Sequence, residues 1–213
     1  MLTLYAIPVS LYCAKLRIVL RAKGLAWREL PPPGGYGSDD YRRLVPSGNL
    51  PALEHDGLLL ADSEAIAEYL EETFPDPPLL PGSAADRARL RERGRFHDTR
   101  LEPDVRKLFA QIPASTRDRA VVSAQEHEIQ ARIDQLGRML EDTPALPFGL
   151  GDCGFPVTFA WLDALSSPMG LAPALPAAVR DWRERIEAEP CVAAELAAYR
   201  PVLAEWLERA ASG

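Results

Sequence analysis

The sequence predicts a small α/β domain followed by an all-α domain. Three observations carry this. Up to about Phe74, short strand-like pieces alternate with helix-like ones; beyond it the pattern is helical almost throughout. Between the two lies Pro75-Asp76-Pro77-Pro78-Leu79-Leu80-Pro81-Gly82, where the prolines and the glycine exclude a continuous helix or strand. Domains are expected at residues 1–75 and 83–213, with 76–82 as the linker.

In the first part, Leu2 to Ala6 is a short apolar strand. Ser10 to Lys23 reads as a helix, because Cys13, Leu16, Val19 and Leu20 recur at helical spacing and Gly24 stands as a C-terminal stop. Ala26 to Leu30 is a second strand. A Pro/Gly loop from Pro31 to Ser38 leads to a short helical stretch, Asp39 to Leu44. Leu50 to Glu54 and Leu58 to Leu60 flank His55-Asp56-Gly57, a hairpin signal. Ser63 to Phe74 is amphipathic, with Ile66, Tyr69, Leu70 and Phe74 on one side. The order β-α-β-(α)-β-β-α makes a two-layer domain with a βαβ unit and an antiparallel hairpin.

In the second part, Ser83-Ala84-Ala85-Asp86 is a near capping box. It opens a helical run through Arg87 to Ala110, bent or interrupted at Pro103. Ser115-Thr116-Arg117-Asp118 starts a helix to about Glu141, and a loop spans Thr143 to Phe155. Four helical segments close the chain: Pro156 to Leu165, Pro176 to Ala188, Val192 to Ala198 and, after Pro201, Val202 to Ala210.

Composition narrows the function classes. Of 213 residues, 47% are hydrophobic and 26% charged, the balance of an ordinary globular protein. With 24 Lys+Arg against 31 Asp+Glu, the net charge of −7 leaves no basic footprint for nucleic acid. No apolar run reaches the roughly 18 residues that cross a bilayer, and the first residues do not form a signal peptide. Cys13, Cys153 and Cys191 do not read as a disulfide framework, which fits a reducing cytoplasm. His55, His97 and His127 lack metal-ligand spacing, so no metal is expected.

Three places carry chemistry. Ser10 falls where the first helix begins, at free N–H groups and the positive end of the helix dipole. It reads as a helix cap, and the same hydroxyl can donate to another molecule's thiolate. Ser10 and Cys13 have the spacing of a dithiol motif, but the hydroxyl argues against disulfide exchange within the protein. Asn49-Leu50-Pro51 places a proline directly before a strand: an ordinary loop, or a cis bond that turns a peptide edge outward to pair with an extended ligand. Asp62-Ser63 opens an amphipathic helix, as a cap or as a holder of a small ligand's carboxylate and ammonium groups.

Together, the serine at a strand–helix turn, the Gly48-Asn49-Leu50-Pro51 segment before a strand, Asp62-Ser63 and the appended helical domain resemble a cytosolic glutathione S-transferase of the serine type, as found in bacteria. The resemblance covers nearly the whole chain and rests on the order of the motifs. It implies a thioredoxin-like N-terminal domain, a helical C-terminal domain and a homodimer. It also implies glutathione as co-substrate and a small electrophile as second substrate. Ser10 matches the position that activates the glutathione thiol. Leu50 and Pro51 match the pair whose backbone binds the cysteinyl part, Asn49 adds a polar contact, and Asp62 and Ser63 match the pair at the γ-glutamyl end.

The electrophile pocket is then expected between the Ser10 loop and the first long helix of the second part, at Phe96, His97, Arg100, Leu101 and Asp104. Those residues also read as a solvated face with a core stripe. Trp161, Trp182 and Trp206 are expected as core anchors, Tyr5 as strand packing rather than an activator, and Cys13 as packed rather than forming a mixed disulfide. Two departures from the family pattern stand out. Val45 replaces the usual Asn before the proline, and Pro156-Val157-Thr158-Phe159 lacks the usual helix-capping box. The implied activity is conjugation of glutathione to small electrophiles. The alternatives are a glutathione-dependent isomerase of the maleylacetoacetate kind, a reductive dehalogenase, a redox protein using Cys13, and a non-catalytic glutathione-binding or regulatory protein.

Overall fold

A computed structural model describes residues 1–143 and 145–212, without the side chain of residue 212. Pro144, inside the expected loop, and Gly213, at the expected end of the second domain, lie outside the described residues. The first part holds β1 (Leu2–Tyr5), α1 (Leu11–Ala22), β2 (Trp27–Leu30), α2 (Asp39–Leu44), β3 (Ala52–His55), β4 (Leu58–Ala61) and α3 (Ser63–Thr73). The sheet order is β2-β1-β3-β4; β1 runs parallel to β2 and antiparallel to β3, with Leu4 opposite both Glu29 and Leu53. The β3–β4 hairpin closes on Asp56 and Gly57, at φ 49° and 85°. Two left-handed residues are what a two-residue hairpin needs to match strand twist. This is the expected arrangement: a thioredoxin-like sheet layer followed by helices.

Helix α1 forms because its apolar residues Cys13, Leu16, Val19 and Leu20 are all buried in one core. It also carries Lys15 and Arg17 inward, both buried. Burying charge is costly unless it is paired, and both are paired. Lys15 reaches Glu64 and Asp98, while Arg17 reaches Glu29 and Glu195. Between Phe74 and Ser83 the chain has no helix or strand. Glu71 accepts the N–H groups of Leu79 and Leu80 there, and Lys23 donates to the Phe74 and Pro77 carbonyls.

The helical part begins at α4 (Ala84–Phe96), opened by a reciprocal capping box between Ser83 and Asp86. The expected long helix does not bend at Pro103 alone. A π-helical turn, His97–Leu101, follows α4, then α5 (Glu102–Arg106) and a 3-10 turn, Lys107–Gln111. Helix α6 (Arg119–Glu141) starts later than Ser115. Asp118 caps it by accepting from Ala120 and Val121, while Arg117 is spent on the Gln111 and Ile112 carbonyls. Helix α7 (Phe155–Met169) begins with Pro156 in its first turn and no side-chain cap. Asp152 instead closes the preceding 3-10 turn by accepting the Gly149 N–H at 2.9 Å.

After α8 (Ala177–Glu187) comes one helix, α9 (Pro190–Ser212), where two segments are expected. Pro201 removes one helix hydrogen bond, but Tyr199 and Leu203 are buried on either side of it, so packing carries the helix through. Helix α4 meets the 149–152 turn backbone to backbone: a Cβ on Gly151 would stand 1.9 Å from the Leu90 carbonyl oxygen, and one on Gly94 would stand 3.2 Å from the Gly151 Cα.

Candidate active site

A cavity of about 720 Å³ opens between the N-terminal ends of α1 and α3 and the helices beyond the linker. Ser10, Asn49, Leu50, Asp62 and Ser63 all line it, so the structure brings together residues up to 53 positions apart in the sequence. Ser10 is the N-cap of α1, and its Oγ accepts the Cys13 N–H at 3.3 Å. That bond uses a lone pair and not the hydroxyl proton, which faces the Cys13 sulfur and can turn to donate elsewhere. Cys13 itself is fully buried, and burial pushes its thiol up, against a hydrogen bond from Ser10. Tyr5 lies off the cavity, on β1, and donates to Glu54 at 3.2 Å.

The Leu50–Pro51 bond is cis. Neither the N–H nor the carbonyl of Leu50 has a partner among the described residues. The neighbouring Asn49 carbonyl is held by the Tyr41 hydroxyl at 2.8 Å. Asp62 caps α3 by accepting from Glu64 and Ala65 at 2.9 and 3.1 Å, with φ at 101°. A non-glycine residue there is strained, and such strain clusters at ligand sites. Beside it, Ser63 is buried at the first position of α3, where helix N–H groups have no partners within the helix.

From the helical part, the cavity takes two different walls. One holds Arg95, Asp98 and Thr99; the other holds Arg106, Phe109, Trp161 and Trp206. Arg95 is exposed and has no acidic partner among the described residues. The Phe109 and Trp161 rings stack with centroids 4.2 Å apart, and Trp206 meets Trp161 edge-on at 5.6 Å. Arg106 lies over the Tyr12 and Phe109 rings and pairs with Glu102, which also accepts the Tyr12 hydroxyl at 2.8 Å. One end of the cavity is thus polar and the other aromatic.

The residues expected to line the electrophile pocket are placed elsewhere. Phe96 and Leu101 are buried in the core. His97 is buried, with Nε2 against Thr158 Oγ1 at 2.7 Å and Nδ1 against Asp98 at 2.7 Å. Asp104 is buried and held by Lys107 and Arg132, and Arg100 is exposed off the cavity. The three tryptophans are core anchors as expected, Trp161 and Trp182 buried in the core and Trp206 packed against it, and Trp161 and Trp206 also line this cavity.

Sequence reasoning missed the charged bridge beneath the site. The Lys15 ammonium donates to Glu64 at 2.6 Å and to Asp98 at 2.8 Å, tying α1, α3 and the π-turn together. Burial raises the Asp98 carboxyl, but the His97 hydrogen bond and the Lys15 charge outweigh it and hold the group well below the usual carboxylate range. For Lys15, burial lowers the pKa, and the two carboxylates overcome it and raise it. A lysine inside the apolar stripe of α1 was the signal: it cannot be buried without acids from elsewhere. Among the described residues, no group of three or more His, Cys, Asp or Glu could hold a metal ion, and no helix is long and apolar enough to cross a membrane.

Comparison with known proteins bears on this geometry. A family model, the N-terminal domain of glutathione S-transferases, matches residues 4–78. A stringent starvation protein A homolog from Pasteurella multocida is 33% identical over 153 residues, 71% of this chain and 70% of that protein. A maleylacetoacetate isomerase from Pseudomonas aeruginosa is 42% identical over 97 residues, 43% of this chain and 45% of that protein. The theta class glutathione S-transferase from Xanthomonas axonopodis pv. citri, solved with glutathione bound, superposes with a TM-score of 0.79 at 21% identity, over 95% of this chain and 98% of that one. At that identity the likeness is one of fold.

Proposed function

The chain belongs to the glutathione S-transferase family, and from that premise we propose that it conjugates glutathione to small electrophiles, with Ser10 activating the thiol. One observation carries the reading. A hydroxyl able to donate, a peptide edge at Leu50 without a partner among the described residues and a helix N-terminus at Ser63 converge on one cavity whose far wall is aromatic.

In this reading Leu50 pairs with the cysteinyl amide of glutathione, Asn49 adds a polar contact beside it, and Asp62 and Ser63 hold the γ-glutamyl end. Pro51 keeps Leu50 facing the ligand. The sulfur then lies by Ser10. A free thiol, with a pKa of about 8.5, is only a few per cent ionised at pH 7. Lowering that pKa by about two units takes roughly 2.7 kcal/mol of selective thiolate stabilisation. A charge-assisted hydrogen bond of about 1.5–3 kcal/mol and a helix N-terminus of about 0.3–1 kcal/mol together supply it. The thiol proton leaves to solvent, the thiolate attacks the electrophilic carbon, a C–S bond forms, and the leaving group departs with its electron pair. Phe109, Trp161 and Trp206 receive the apolar body of the electrophile.

We also read the chain as a cytoplasmic homodimer; the three free cysteines support the reducing compartment. A second reading is a glutathione-dependent isomerase, in which the thiolate adds and then leaves. The Pseudomonas aeruginosa relative favours it, and so does Arg95, which has no acidic partner among the described residues and is suited to a substrate carboxylate.

The test is ultraviolet titration of glutathione bound to the wild type and to Ser10→Ala. Conjugation predicts a bound thiol ionised at neutral pH in the wild type and not in the variant. Binding with an unshifted thiol in both indicates a non-catalytic glutathione-binding protein. Turnover of a cis-enediketone acid without net glutathione consumption selects the isomerase.

A further inference from the structure

We propose that Tyr199 is a positioning residue for Ser10, and that the relay Trp161–Tyr199–Val9 joins the aromatic wall of the cavity to the hydroxyl that activates the thiol. This role deepens the transferase function proposed for the site and rests on it.

The geometry is specific to one peptide plane. The Val9–Ser10 peptide is pinned at both ends. Its carbonyl accepts the Tyr199 hydroxyl at 2.7 Å, and its N–H donates to the Ile7 carbonyl at 3.3 Å. The Ile7 carbonyl is itself held by Arg17 at 3.2 Å. The orientation of that plane sets where the Ser10 side chain begins. Tyr199 comes from α9, 190 residues from Val9 along the chain, so the position of Ser10 depends on the helical part.

Tyr199 is also fixed from behind. It is 2% exposed, and its oxygen accepts the Trp161 indole N–H at 2.7 Å. An acceptor that also donates is polarised into a stronger donor. Burial pushes the Tyr199 hydroxyl well above its ordinary range, so it keeps its proton at every working pH. Trp161 faces the cavity and stacks on Phe109. An electrophile resting on that wall therefore touches the indole whose N–H holds the relay.

The experiment measures the apparent pKa of the thiol of bound glutathione, by ultraviolet difference titration, in the wild type, Tyr199→Phe, Ser10→Ala and the double variant. Phenylalanine keeps the ring and removes only the hydroxyl. The expected result is a rise of about one unit in Tyr199→Phe, with the glutathione Kd changed less than about threefold. The double variant should match Ser10→Ala alone, since a residue acting through Ser10 has nothing left to position. Trp161→Phe, which keeps an aromatic wall, should shift the thiol in the same direction and by less. A purely structural Tyr199 would lower the Tm and leave the bound thiol unmoved; that outcome, or additive shifts in the double variant, overturns the inference. Should Ser10→Ala itself leave the thiol unmoved, or the wild type bind no glutathione, the transferase reading fails and takes the inference with it.

Discussion

Replacing Lys15 with methionine should expose how the two halves of the chain are held together. The substitution keeps an unbranched stem of similar length and removes the charge. Lys15 is 1% exposed and donates to Glu64 and Asp98, whose side chains are 14% and 10% exposed. Without the ammonium, two nearly buried carboxylates face the same apolar gap. Breaking a buried pair from one side costs about 3–5 kcal/mol; the residual solvent at both acids puts the cost at the lower end, about 3 kcal/mol. For a chain of this length, about 2–4 °C of Tm is lost per kcal/mol, so the melting point should fall by about 6–12 °C near pH 7.

The pH dependence separates this cause from a packing defect. Lys15 helps hold the Asp98 carboxyl down, so in the variant Asp98 gains its proton more readily than in the wild type, and the variant's native state binds a proton that the wild-type native state does not. The stability gap should therefore narrow as the pH falls from 7 towards 4. Thermal unfolding monitored by circular dichroism at several pH values reads this directly. Lys15→Met/Asp98→Asn should recover part of the loss, because one of the facing charges is gone. A variant melting within about 2 °C of the wild type, or a gap that stays constant with pH, refutes the reasoning.

Three other perturbations have equally definite expected outcomes. Ser10→Ala should slow conjugation at neutral pH by about 10- to 100-fold, measured as kcat/KM with a chlorodinitrobenzene probe, the equivalent of one charge-assisted hydrogen bond. Asp98→Asn should flatten the acid limb of the stability curve: the Asp98 carboxyl is held below its ordinary 3.8, so its contribution is full above that pH and is lost as pH falls below it. Thermal melts between pH 5 and pH 2 would show a smaller change in the variant than in the wild type. Gly151→Ala would set a Cβ 1.9 Å from the Leu90 carbonyl oxygen, a backbone atom that no rotamer change can move. A loss of about 3 kcal/mol or failure to fold is expected in chemical denaturation.

The N-terminal half was legible because each of its elements is short and announced locally. The strands alternate or run apolar, Ser10, Ser38 and Asp62 each cap a helix, and Asp56-Gly57 makes the hairpin turn. The part of the cavity formed by Ser10, Asn49, Leu50, Asp62 and Ser63 was legible for the same reason: these residues sit at helix starts and strand entries. The wall from the helical part was not. A continuous helix from Arg87 places His97, Arg100 and Asp104 on one face. Arg95, Asp98 and Thr99 line the cavity from a neighbouring face instead, and the π-turn at His97–Leu101 shifts the register of the residues after it, among them Arg106, which also lines the cavity. Helical periodicity contains no signal for that insertion. The merging of the last two segments across Pro201 was hidden likewise, since tertiary packing of Tyr199 and Leu203 outweighs the local rule.

The bare-backbone seam between α4 and the 149–152 turn fixes how this protein can change its ligands. Gly94 and Gly151 leave no side chain to act as a spacer, so the two segments can neither slide nor tilt without collision. The distance between α4, which carries Arg95 to the cavity, and that turn is thereby set by main-chain atoms. Across that seam, new ligand preferences come more readily from exchanging the groups on the cavity wall, at positions such as 95, 99, 106 and 109, than from moving α4.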